Sequence, residues 1–258
     1  MCVVGFQWHP GSQEPLLLLG NRDEYYERPT APLAWWEGGR ILAGRDLQAG
    51  GTWLGVTRTG RVAVITNFRD PALVRPDGPS RGHLPVRFLE GDASAAAFLE
   101  GLRPEAASYS PFNLLLYDGE DLLGYESRGD RVVRFEPGIH AVSNGAFDEP
   151  WPKVEAVRAV LAAAAEDDEA LLHALEDDRP CVEDQLPHTG VSVAWERALS
   201  PLFIHTPTYG TRAAMILRLG PGEVTVLERT FTAEGRESER RFEFVPAPVI
   251  QGNTSKHN

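Results

Sequence analysis

The chain has 258 residues, 42% hydrophobic and 24% charged, which is enough apolar surface for one large or two small folded units and argues against a disordered chain. Thirty-seven acidic residues against 25 Lys and Arg leave a formal charge of -12 with no cationic block, which argues against nonspecific nucleic-acid binding. Two cysteines, Cys2 and Cys181, cannot build a disulfide framework, and no apolar run approaches the ~20 residues that span a bilayer.

In chain order, alternating or apolar runs predict strands over 2–8, 15–21, 52–57 and 61–67, separated by turns such as HPGS and RTG. A helical pair is predicted at about 84–102, then strands over 112–118, 122–127, 131–135 and 140–144. PKVEAVRAVLAAAAE (152–166) places Val154, Val157, Val160 and Leu161 at helical spacing behind a first-turn proline, and a second helical segment follows near 169–177. The acidic runs EDDE and EDD read as solvated helix ends. After a helix near 193–200, strands resume over 211–219, 223–231 and 240–246, and residues 251–258 read as a disordered tail. Hairpins and grouped helices, without regular strand-helix alternation, predict an α+β fold of mainly antiparallel sheets, and no linker divides residues 1–250. The expected protein is cytoplasmic, with no integral membrane segment and no assigned oligomeric state.

Cys2 carries the first chemical signal. Methionine aminopeptidases remove an initiator Met before a small residue, which would leave Cys2 with a free α-amine. Nucleophile and base would then share one residue: a thiol of reference pKa ~8.5 beside an amine of ~7.7 to 8.0 needs only a modest perturbation for proton transfer. The alternative is a small apolar residue in a sheet.

Five further stretches stand in order behind it: NRDE (21–24), GGTWLG (50–55), TNFRD (66–70), SNGAFDEPWPK (143–153) and TYGTR (208–212). Together with the initial MC they resemble the cysteine-dependent N-terminal-nucleophile (Ntn) hydrolases, and more closely the NRDE family, the transport and Golgi organisation protein 2 family. The resemblance spans nearly the whole chain. It implies a four-layer αββα sandwich with Cys2 at the mouth of a pocket between the sheets. It further implies that Asp23 holds the nucleophile's amine, that Asn67 and Asn144 serve as oxyanion or positioning amides, and that Arg212 lies near the sulfur. Asn21, Arg22, Glu24 and Trp53 are the expected substrate-binding residues. Arg22 departs from the acylase and bile-salt-hydrolase pattern, whose arginine comes earlier in the motif; either Arg22 takes that role or the role is absent.

The expected activity is hydrolysis of a non-peptide carbon-nitrogen amide bond in a small or amphipathic molecule, with no cofactor required. Because family relatives are linked to haem trafficking and to acyl-CoA or lipid homeostasis, the resemblance also implies an alternative, a non-catalytic protein that binds and carries haem, acyl-CoA or lipid on the same scaffold. Tyr25, Tyr26, Trp35 and Trp36 are candidates to line an apolar pocket. The histidines, His9, His140, His188 and His205 among them, form no ligand spacing, so no metal site is expected.

Overall fold

Alternation along the first hairpin sorts its side chains onto two faces. In β1 (Cys2–Trp8) and β2 (Leu16–Tyr25), Cys2, Val4, Phe6, Trp8, Leu16 and Leu18 join one apolar core, while Val3, Leu17 and Leu19 join another. Such a two-sided strand must be covered on both faces, and the computed structural model, which describes residues 2–248, shows how. The predicted tail at 251–258 lies outside the described residues.

The hairpin is followed by β3 (Thr30–Trp35), β4 (Ile41–Asp46), β5 (Leu54–Thr57) and β6 (Val62–Asn67), then by helices α1 (His83–Glu90) and α2 (Ala95–Leu102). Strands β7 (Phe112–Tyr117), β8 (Leu122–Glu126), β9 (Arg131–Arg134) and β10 (Gly138–Val142) come next, then α3 (Pro152–Ala164), α4 (Asp168–Leu175) and α5 (Val193–Ala198). The described chain closes with β11 (Tyr209–Leu219), β12 (Val224–Thr232) and β13 (Gly235–Phe244). Two antiparallel sheets result, one ordered β10-β1-β2-β11-β12-β13 and the other running sequentially from β3 to β9. They meet face to face: Phe6 packs edge-on against Phe135 at 4.9 Å and Trp8 against Tyr117 at 5.7 Å. Helices α3 and α4 cover the first sheet, and α1 and α2 the second, giving an αββα arrangement.

Three departures from the predicted elements matter for the site. Strands β3 and β4 are additional; β3 lies at a sheet edge and its pairing with β4 slips between Ala31 and Ala34, around Pro32, which has no N–H to donate. Strand β2 continues past Asn21 through the whole NRDE tetrapeptide, pairing Asp23 with Thr211 and Glu24 with Gly210. A β-bulge between Thr211 and Ala213 leaves Arg212 out of register on β11. Gly210 is required there: a Cβ would sit 2.6 Å from the Ile204 carbonyl oxygen and run into the Tyr26 hydroxyl.

Candidate active site

Cys2 begins β1 directly opposite Arg22 on β2, so both side chains project into the space between the sheets. There they line a cleft of about 460 Å³. The Cys2 carbonyl accepts a hydrogen bond from Ser143 Oγ at 3.0 Å, which ties the start of β1 to the SNG segment after β10. Burial pushes the Cys2 thiol up from its ordinary value, and the nearby Asp23 carboxylate pushes the same way; Arg22 and the Asp23 backbone N–H oppose them.

Asp23 sits one residue further along β2 with its side chain fully buried. Its Oδ1 accepts from Thr211 Oγ1 at 2.7 Å, and its Oδ2 lies 3.4 Å from Lys153 Nζ. Lys153 occupies the first turn of α3, where Pro152 starts the helix and leaves the lysine aimed at the sheet. Only 5% exposed, its ammonium is pushed down by burial while Asp23 pulls it back up. Tyr209 donates its hydroxyl to the Asp23 carbonyl at 2.9 Å, so the carboxylate is held from both its side chain and its backbone.

The two asparagines expected to act alike take different positions. Asn67, at the end of β6, lines the cleft with Cys2. Asn144 is buried and donates Nδ2 to the Asn67 carbonyl at 2.7 Å, while Arg69 Nη2 approaches its Oδ1 at 3.4 Å. Asn144 thus positions Asn67 and does not itself face the cleft. Arg69 in turn pairs with buried Glu196 of α5 at 2.7 Å and lies over the Trp151 ring.

The substrate-binding and cationic candidates also separate. Glu24 and Trp53 line the cleft with Arg22, but Asn21 faces the helices, donating Nδ2 to the carbonyls of Leu175 at 2.8 Å and Leu202 at 2.9 Å. The period of two along β2 explains why: Arg22 and Glu24 share one face and Asn21 the other. Arg212 lines the same cleft, yet its guanidinium is bonded to the carbonyls of Tyr25, Tyr26, Arg28 and Phe231, pinning the chain after β2. The arginines whose charge acts on the Cys2 sulfur are instead Arg22 and Arg81. Arg81 reaches the cleft because Gly51 of GGTWLG lets the Gly82 backbone pass within 2.5 Å of where a Cβ would stand. Tyr25, Tyr26, Trp35 and Trp36 do not line this cleft; Trp35 and Trp36 lie beneath Arg58 and Arg45. Among the described residues, no three His, Cys, Asp or Glu side chains come together as a metal site.

The sequence does not single out Lys153, Arg69, Arg81, Glu196 or Glu228. Lys153 and Arg69 fall inside the quoted SNGAFDEPWPK and TNFRD segments, but nothing in a single sequence distinguishes a lysine after proline from a solvated helix start. Glu228 on β12 is 2% exposed at the cleft wall, accepting from Leu33 N at 2.5 Å. Burial raises its carboxyl from the ordinary 4.5 to about 7. Between those values the folded protein holds a proton that the unfolded chain has released, so Glu228 makes stability fall as pH rises from 4.5 to about 7. In Glu228→Gln that contribution disappears, and urea midpoints should decline less across this window, a difference on the order of 2–3 kcal/mol. An unchanged pH slope would show that Glu228 titrates normally.

The model of the family described as Transport and Golgi organisation 2 matches residues 1–233. The mouse Transport and Golgi organization 2 homolog is 30% identical over 257 residues, covering 89% of this chain and 93% of the relative. The human homolog is likewise 30% identical, with the same coverage. Among solved structures, the Caenorhabditis elegans N-acylethanolamine-hydrolyzing acid amidase ortholog aligns over 84% of this chain and 92% of its own, with a TM-score of 0.48 and 10% identity.

Proposed function

Taking as premise that the chain belongs to the Transport and Golgi organisation 2 family, we propose that it is an Ntn-type cysteine hydrolase of a non-peptide amide bond in a small or amphipathic molecule. The observation that carries this reading is the shared cleft: Cys2, at the start of the first strand, opens onto the same cavity as Asn67, next to a carboxylate fixed by Thr211 and Lys153. The MC, NRDE, TNFRD and SNG order supports it.

Once Met1 is removed, the Cys2 α-amine accepts the thiol proton as the sulfur bonds to the substrate carbonyl carbon. Asn67 donates its side-chain amide to the developing oxyanion. Collapse breaks the carbon-nitrogen bond, the ammonium gives its proton to the departing amine, and a thioester remains. Water then attacks the thioester with the α-amine again taking the proton, and the free acid leaves as that proton returns to sulfur. Asp23 orients the amine, and Lys153 offsets the negative charge that would otherwise hold the amine fully protonated. Cys2 and Cys181 are both free thiols, which fits a cytoplasmic setting. Among the described residues, no helix is long and apolar enough to cross a membrane.

The mechanism makes Asn67 a donor used in the transition state. In Asn67→Ala, kcat for any amide the wild type hydrolyses should drop by about 10²- to 10³-fold with little change in KM. A rise in KM alone would assign Asn67 to ground-state binding.

The volume of the cleft, about 460 Å³, favours a second reading, a non-catalytic carrier of acyl-CoA or a lipid. Haem held through its iron is poorly served here: among the described residues the cleft lining has no His or Met, and Cys2 is its one thiol. A saturable Soret shift on titrating haem, lost in Cys2→Ala, would reverse that conclusion.

A further inference from the structure

In a chain of net charge -12, the described wall of the cleft carries six arginines against five carboxylates. Most of the carboxylates are already engaged. Asp46 holds Arg28 at 2.7 Å, Asp23 holds Thr211 and Lys153, and Glu228, with its carboxyl raised to about 7, is only about half charged at neutral pH. Two of the arginines nearest the reactive sulfur have no hydrogen-bonded acid among the described residues, although Glu24 acts on both and Glu228 acts on Arg22. The Arg22 side chain is 12% exposed, and its one carboxylate contact among the described residues is Glu24 at 3.8 Å, which Arg28 shares at the same distance. No hydrogen bond links the Arg22 guanidinium to another described residue. Arg81 donates Nη1 to the Pro111 carbonyl at 3.1 Å and has no carboxylate within ion-pair distance among the described residues; burial pulls its guanidinium down from the usual value.

A desolvated guanidinium with unused donors is costly unless an anion completes it. Both of these point into one cavity, both act on Cys2, and one stands directly across the strand pair from it. We propose that the cleft takes an amide bearing an anionic group, a carboxylate or a phosphate, and that Arg22 and Arg81 hold that group beside the scissile bond. Paired guanidinium donors match the oxygen geometry common to carboxylate and phosphate. The proposal rests on the hydrolytic reading of Cys2 for the word amide; the anion site itself does not.

Binding is therefore measured in the Cys2→Ala protein, where turnover plays no part. Calorimetric titrations at low ionic strength compare N-acetylglycine, inorganic phosphate and the neutral N-acetylglycinamide. At least one anion should bind ten or more times tighter than the neutral amide, and the tighter of the two tells carboxylate from phosphate. Added salt should weaken the anion, and Arg81→Met should weaken it at least tenfold. Arg22→Met, which leaves Glu24 its contact with Arg28, should do the same while circular dichroism reports an unchanged fold. Equal affinity for the neutral amide, no saturable binding of either anion, or undiminished affinity in both arginine variants would overturn the proposal. Anion binding without amide hydrolysis by the wild type leaves the anion site standing and removes the hydrolytic reading. Hydrolysis of neutral and anionic amides with equal kcat/KM does the reverse.

Discussion

Replacing Cys2 with Ala should abolish amide turnover, a loss of at least about 10³-fold, while the protein melts within a few degrees of wild type. The reasoning separates chemistry from packing. The substitution removes the sulfur that bonds to the carbonyl carbon but leaves the backbone that pairs with Arg22 and accepts from Ser143. One small buried side chain gives way to a smaller one at the rim of a cleft, which costs about 1 kcal/mol. Cys2→Ser keeps the α-amine and substitutes a weaker nucleophile, so it should retain a trace of turnover above Cys2→Ala. Wild-type turnover in Cys2→Ala would remove the nucleophile from the account.

Asp23→Ala should be the most destabilising single change at the site, at about 3–5 kcal/mol, because it strands the Lys153 ammonium in the protein interior at 5% exposure. It also deprives Thr211 Oγ1 of its acceptor. Turnover should vanish as well, since nothing then orients the amine. A merely structural role and a positioning role are told apart by the double variant Asp23→Ala/Lys153→Met. Removing the stranded charge should recover much of the stability, read as a rise in urea midpoint at unchanged slope, without recovering turnover. If stability and turnover return together, Asp23 is needed only for the fold.

What the sequence makes legible follows from range. The hairpin of β1 and β2, the pairs β5–β6 and β7–β8, and the long α3 all announce themselves through local periodicity, and the observed bounds lie within a few residues of the predicted ones. β3 and β4 do not, because β3 carries Pro32 and slips its pairing there, and neither β3 nor β4 was among the predicted strands. The predicted strand stops at residue 21 because the four polar residues of NRDE break the apolar run, yet the tetrapeptide is itself extended. It is strand because β11 lies alongside it, and that pairing joins residues nearly two hundred positions apart.

The site divides the same way. Cys2, Arg22, Asp23, Glu24, Trp53 and Asn67 could be named from motifs, and they line one cleft. Motifs do not say which way a side chain points: Asn21 turns toward the helices, Asn144 stands behind Asn67, and Arg212 binds carbonyls. Lys153, Arg81 and Glu228 gain their character from burial, a property of the assembled sheets that no local spacing encodes.

The central claim is that Cys2 becomes an N-terminal nucleophile, and intact-protein mass spectrometry tests it most directly, before and after brief exposure to a thiol-reactive amide or lactone. The account predicts a chain lighter by its initiator methionine that gains one adduct, mapped to Cys2 and not to Cys181. A chain that retains Met1 and leaves Cys2 unmodified would contradict it.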